Sequence, residues 1–408
     1  MANDCRLRLL QVSQRFSAYP TSGAELRIHH LATHLARHMC VTHLGFSPGG
    51  VARSAVIPHE RLEFIPVARS NGYGIFDLAR GALGRVPFPV LNYTRENMKD
   101  ALGEQLGKTA FDIVQLESVH LAGYLPLLRA ARNRPRLVVC DWHNIESELM
   151  ARYGDGTAAV WRKLYARRSA GQLASFEKWF ADQCDLHVVV SERDRETLIR
   201  YGTRAPVLVI DNGVDVKHFS SSPDSPDRRF RVLFVGSMDY HANIDAVVSF
   251  ARDAWPRIHS SLPEAVFTVV GRNPTAGVRA LAAMGGIEIT GTVGDTKPYY
   301  REAWAVVVPI RVAGGTRIKI LEAMAAGVPV VSTGRGAEGL AAEPGLHYLL
   351  ADTDHEIHAA LTRLAGDPAL GSRLAAAAME LVRHRYDWPV LGDRLAAALA
   401  RLLEAPAR

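Results

Sequence analysis

Residues 309–331 read PIRVAGGTRIKILEAMAAGVPVV and hold the densest chemistry in the chain. An apolar run ends at Pro309, Gly314 and Gly315 permit a tight turn, and Thr316 offers a side-chain oxygen to cap a helix running to Gly327. Arg317 and Lys319 then fall in that helix's first turn, with Arg311 just ahead of the glycines. Cations at a helix N-terminus oppose the macrodipole, so they make sense there when an anion sits between them and the backbone N–H groups. Phosphate is the anion such a group of donors suits, since it accepts several charge-assisted hydrogen bonds at once. Glu322, further along the helix, would reach past a phosphate towards a hydroxyl-rich group such as a ribose. The plainer alternative is a solvated first turn with Lys319 pairing to Glu322. The GVPVV that follows favours the first reading, because it supplies a helix stop and the next strand.

A second polar cluster stands at 138–147, VVCDWHNIES. His143 follows an apolar run, with Asp141 or Glu146 near enough in sequence to set its tautomer; capping the next helix is the rival role. Gln115, Glu117 and Ser118 end an earlier apolar run, where they would bind acceptor hydroxyls or simply shape a loop. His30, His34 and His38 recur every fourth residue, yet no nearby Cys or carboxylate completes a metal site, so a boundary face is expected and no metal. Trp161, Leu164, Tyr165, Phe176, Trp179 and Phe180 alternate with Arg162, Lys163, Arg167, Arg168 and Lys178. Core packing under a solvated basic face is the expected outcome for them, with a membrane surface as the alternative.

Strands must end where these groups stand. Short apolar runs at 7–12, 41–46, 62–67, 113–116, 137–141, 186–190 and 207–210 alternate with amphipathic segments. A second series follows at 232–235, 267–270, 287–290, 305–309, 328–332 and 348–350. Such alternation predicts parallel sheets with helices on both faces, because a parallel crossover needs a long connection. It occurs twice. Residues 220–229, rich in Ser, Pro and Asp, read as a linker. The expected organisation is a Rossmann-like domain over 1–219, a second over 230–386, and a C-terminal helix over 387–408 packing back on the first. The fold class is α/β, two Rossmann-like domains facing across a cleft, with ligands at the carboxyl ends of the strands.

Composition excludes several classes. Of 408 residues, 48% are hydrophobic and 22% charged, a globular balance. The net charge of +6 comes from residues 1–222, which carry 28 Lys and Arg against 22 Asp and Glu; the remainder is balanced at 20 and 20. That excess is too weak for a nucleic-acid binder, and no basic cluster forms a base-stacking groove. No uncharged stretch approaches the roughly 20 apolar residues of a membrane span. The N-terminal residues lack the pattern of a secretory signal. Cys5, Cys40, Cys140 and Cys184 form no CxxC pair, so reduced core thiols are expected rather than disulfides or zinc. Together these predict a soluble cytoplasmic protein.

The run 309–331 resembles the C-terminal signature of family 4 glycosyltransferases. Segments 20–27 (PTSGAELR), 209–215 (VIDNGVD), 235–245 (VGSMDYHANID) and 269–274 (VVGRNP) resemble further family motifs, in the family's order, with weaker support from 291–293 and 338–340. The resemblance implies the GT-B fold, a nucleoside-diphosphate sugar as donor, and transfer with retention at the anomeric carbon. It places Gly23 against the diphosphate, Lys319 and Arg311 as the diphosphate's cations, and Glu322 on the ribose hydroxyls. Arg272 and Val293 would flank the nucleobase. Gly314, Gly315, Thr316 and Arg317 would line the donor sugar and phosphate, His143 would hold the sugar, and Glu117 would meet the acceptor. No cofactor is implied, and a metal is not required. Two positions depart from the family pattern. Gly314 stands where the first glutamate of the E-seven-E pair is usual, and Ser237 and Asn243 stand where Arg and Lys are common. A nucleotide-sugar 2-epimerase of the same fold and a non-catalytic nucleotide-sugar binder remain as rivals. The basic first half favours an anionic or lipid-linked saccharide acceptor and a peripheral contact with the inner membrane face.

Overall fold

Seven of the apolar runs become β1 (Arg8–Ser13), β2 (Cys40–Ser47), β3 (Leu62–Ala68), β4 (Ile113–Glu117), β5 (Leu137–Trp142), β6 (Leu186–Val189) and β7 (Val207–Val209). They pair in parallel in the order β3-β2-β1-β4-β5-β6-β7. The computed structural model describes residues 5–15, 20, 22–47, 60–69, 81, 84–155, 160–220, 230–311 and 318–404. Residues 1–211 and 391–408 form one compact unit, and 212–390 form another. The boundary therefore falls after Asp211, so residues 212–219 group with the second unit. Of the expected linker, residues 221–229 lie outside the described residues.

In the first unit the central strands have two unlike faces. Leu10 and Val12, Leu44 and Phe46, Val114 and Leu116, and Cys140 and Trp142 all join one apolar core. Side chains alternate along a strand, so the residues between them share the opposite face. That face begins apolar and turns polar towards the strand ends, where register sets His43 beside Gln11, Gln11 beside Gln115, and Glu117 beside Asp141. The strand order reverses between β1 and β4, where an open parallel sheet leaves its crevice. Helix Gly23–Leu35 follows β1, opens on a Ser22–Glu25 capping box, and buries Arg27, Ile28 and Leu31.

The second unit contains β8 (Arg231–Val235), β9 (Val266–Val270), β10 (Ile287–Gly291), β11 (Ala305–Val308), β12 (Val330–Ser332) and β13 (Leu349–Leu350). Their order is β10-β9-β8-β11-β12-β13, again all parallel, with the reversal between β8 and β11. Helix Ile318–Ala325 fills the connection from β11 to β12, and Gly327, at φ 66°, turns the chain into the next strand. The chain ends in helices Pro368–Arg385 and Trp388–Glu404, the latter belonging to the first unit from Leu391 on. No helix among the described residues is long and apolar enough to cross a membrane.

The cysteines correct one expectation. Cys140 and Cys184 are buried thiols, but Cys5 and Cys40 form a disulfide. Cys5 precedes β1 and Cys40 opens the neighbouring β2, whose first N–H donates to the Leu7 carbonyl at 3.0 Å. Arg8 stands opposite Cys40 in the register, and the segment ahead of β1 leaves the Cys5 and Cys40 Cα atoms 5.7 Å apart, within disulfide reach.

Candidate active site

At the crevice of the first unit the polar face of the sheet forms a hydrogen-bonded network. Glu117 is only 1% exposed. Its Oε1 accepts from Gln11 Nε2 at 2.6 Å and Gln115 Nε2 at 2.7 Å, and its Oε2 accepts from His143 Nε2 at 2.7 Å. Burial pushes the Glu117 carboxyl up, but those hydrogen bonds outweigh it and hold the group below the usual range, ionised at neutral pH. His43, whose Nδ1 donates to Gln11 Oε1 at 2.8 Å, is driven by burial down to about 4 and is neutral. Alongside lies an ion pair with no solvent access. Arg27 approaches both Asp141 oxygens at 2.9–3.2 Å and donates to the Ile210 and Asp211 carbonyls at 2.8 and 3.0 Å.

Two expectations change here. Glu117 has no face to offer an acceptor; it orients His143. The partner that sets the His143 ring is this glutamate, one strand away, rather than Asp141 or Glu146. Strand register explains both, since β4 and β5 end level and place Glu117 beside the start of the loop that carries His143. Glu117, Asp141 and His143 each present an atom within 4.8 Å of the others, close enough for a cation. Arg27 already neutralises Asp141, so an ion there would have to displace a bidentate guanidinium.

A pocket opens beside this network, lined by Gln14, Ser22, Ser118, His143, Asn144 and Glu146, among others. Ser118 holds φ 102°, a strained backbone for a residue with a side chain, and such strain persists where the surroundings enforce it. Burial, then the nearby Glu177, raises the Glu146 carboxyl to about 7. His30 and His34 stack on one another and His38 bonds Asp393 at 2.7 Å, a boundary face against the C-terminal helix.

Among the described residues of the second unit, the candidate groups gather on helix Ile318–Ala325 and the elements beside it. Lys319 Nζ donates to Asn243 Oδ1 at 2.7 Å and sits 4.1 Å from the centre of the Phe234 ring. Asn243 is fixed in turn by donating to the Ser237 carbonyl at 2.9 Å. Gly236 follows β8, and a Cβ there would come within 2.9 Å of both Asn243 Nδ2 and Lys319 Nζ. The glycine therefore makes room for the ammonium. One turn along the helix, Glu322 accepts from the buried Tyr300 hydroxyl at 2.8 Å. Burial raises its carboxyl to about 7, with Tyr300 and Lys319 pulling the other way.

Arg272, Val293 and Arg311 follow β9, β10 and β11 of the same sheet. Arg311 bonds Asp354 at 2.7 Å and is 42% exposed. Arg272 donates to Ser237 Oγ at 2.9 Å, and Val293 packs partly buried against the core. In the first unit, Gly23 is the first residue of the helix that follows β1. Gly314, Gly315, Thr316 and Arg317 lie outside the described residues, and the described helix starts at Ile318.

Residues 21–218 match the family model described as Glycosyltransferase Family 4, and residues 229–367 match the one described as Glycosyl transferases group 1. The chain belongs to glycosyltransferase family 4. No curated protein matches this glycosyltransferase. Solved structures share its GT-B fold over nearly the whole length. A sucrose-phosphate synthase from Thermosynechococcus elongatus aligns at TM-score 0.74 and 18% identity, covering 98% of this chain and 100% of its own. Anabaena HepE in complex with UDP and glucose aligns at 0.67 and 16%, covering 97% and 100%. The E. coli structure described as trehalose-6-phosphate bound with UDP-2-fluoro glucose aligns at 0.64 and 14%, covering 98% and 100%. In this glycosyltransferase Arg27, Gln11, Tyr300 and the Lys319–Asn243 contact all escape a reading of the sequence. Gln11 alone leaves a trace there, as a polar residue inside an apolar strand.

Proposed function

We propose that this glycosyltransferase moves a sugar from a nucleoside-diphosphate sugar to an acceptor hydroxyl, with retention at the anomeric carbon. The observation that carries the reading is the Lys319 ammonium, held on the Phe234 ring by Asn243 at the switch point of the second sheet, one helical turn from Glu322. That spacing suits a diphosphate on the cation and ribose hydroxyls on the carboxylate. UDP in the HepE structure and a UDP-sugar in the E. coli structure are the nucleotides those proteins bind, and they support the same class of donor here.

As the sugar–phosphate bond breaks, charge separates between an oxocarbenium-like sugar and the leaving diphosphate. Lys319, with Arg311 as a second cation, stabilises the leaving group electrostatically. The cations do this without a metal, so chelation should leave activity intact. In the first unit His143, fixed by ionised Glu117, offers a hydroxyl-directed imidazole beside a pocket of amide and hydroxyl groups that suits a saccharide. The departing phosphate oxygen takes the acceptor proton, so no separate side-chain base is required. The acceptor belongs to glycan, polysaccharide or glycolipid assembly. A thermal-shift screen of nucleoside-diphosphate sugars, followed by nucleotide release with and without a saccharide acceptor, tests this. Acceptor-dependent release with an α-anomeric product from an α-donor is the expected result. Release independent of any acceptor, or no shift with any donor, would overturn it.

A further inference from the structure

Helix Val160–Ala181 of the first unit has one face in the core and one in solvent. Ala166, Leu173, Phe176 and Phe180 are buried along one stripe. On the opposite stripe, at the helical spacing of three and four, stand Val160, Leu164, Arg168, Gly171, Ser175 and Lys178 with Trp179, all exposed. Val160 is 82% exposed, Leu164 70%, Tyr165 54% and Trp179 47%. The sequence pattern predicts core packing for these large apolar residues; the core takes the phenylalanines instead and leaves Leu164, Tyr165 and Trp179 outside. The helix carries five cations, Arg162, Lys163, Arg167, Arg168 and Lys178. Its single acid, Glu177, is buried and accepts from Ser147 and the Tyr201 hydroxyl.

We propose that this face docks on an anionic lipid surface. Leu164 and Trp179 would enter the headgroup boundary, where an aromatic ring with one polar end is at home, while Arg167 and Lys178 engage lipid phosphates. A second copy of the chain is a poorer occupant, because two-fold pairing would set the same cations against one another. At roughly 1.5 Å per residue, 22 residues give a contact about 33 Å long. A catalytic unit so held would meet a membrane-borne acceptor by diffusion in two dimensions. Binding to vesicles is measured without turnover, so its failure leaves the transferase reading untouched.

Sedimentation with sucrose-loaded vesicles tests the proposal on the full chain. Binding to phosphatidylglycerol-containing vesicles, weaker on pure phosphatidylcholine and weaker as salt rises, is the expected result. Leu164→Glu with Trp179→Glu should reduce partitioning at least tenfold, and Arg167→Glu with Lys178→Glu should do the same, with melting temperatures and donor-induced thermal shifts unchanged. Vesicles should also blue-shift the tryptophan emission of the native chain but not of Trp179→Phe. No sedimentation with anionic vesicles, or sedimentation indifferent to these substitutions, would overturn the proposal. So would a solution dimer that the same substitutions convert to monomer, since it would make this face a self-interface.

Discussion

The two units share one topology and differ in how they treat charge at its switch point. The first sets two buried groups side by side, Arg27 with Asp141 and Glu117 with Gln11 and Gln115, and the second of these holds the partly buried His143. Among the described residues, the second seats Lys319 against an amide and a ring, and Glu322 against a hydroxyl. A buried ion pair loses fold when one partner is removed, because the other is left as a desolvated charge. A few separately held groups can be removed with the sheet intact. The first unit is thus constructed around its polar groups, while the second is furnished with them.

Substitutions sharpen or break that contrast. Arg27→Ala strands the Asp141 carboxylate and should cost about 3–5 kcal/mol, seen as a large drop in denaturation midpoint or loss of soluble protein. A midpoint within error of the native chain would erase the distinction between the units. Lys319→Ala should instead lower turnover about 100- to 1,000-fold, the usual cost of losing one preorganised charge-stabilising group, with melting unchanged. Full turnover with unchanged melting would remove the phosphate assignment.

Glu322 offers a test by pH. Its carboxyl is raised in the fold to about 7, above its unfolded value, so the folded state binds the extra proton between the two. Its contribution is favourable at low pH and is lost as pH rises from about 4.5 to about 7, a slope worth at most roughly 3 kcal/mol. Glu322→Gln should flatten that slope in chemical-denaturation curves, and an unchanged slope would count against the buried carboxyl. Glu117→Gln should have the smallest effect, about tenfold on kcat, because the amide keeps the shape but loses the charge that orients His143. A displaced pH–rate profile at constant melting temperature would separate this positioning role from simple packing.

The sheets were legible because burial on both faces forces continuous apolar runs, and every strand lies close to such a run. The second unit's chemistry was also partly legible, since Lys319 and Glu322 are local to one helix. The first unit's was not. Arg27 meets Asp141 across 114 residues and Gln11 meets Glu117 across 106, contacts that exist only once strand order and register are known. Helix Val160–Ala181 misled for another reason: its apolar residues outnumber the places one buried stripe can hold, and spacing alone does not say which remain outside.

The Cys5–Cys40 bond bears on how the first unit keeps its network. In a strand, slipping the pairing by one residue sends every side chain to the other face. A slip between β1 and β2 would turn Gln11 into the apolar core and a leucine or valine towards Glu117. The disulfide fastens these neighbours at the end where both begin, and it encloses β1 and Arg27's helix in a closed ring of chain. By the loop-entropy rule, a ring of this size disfavours the unfolded chain by about 3–4 kcal/mol. Oxidation therefore acts as a ratchet against misalignment, and thiol reduction would expose the first unit, but not the second, to strand slippage.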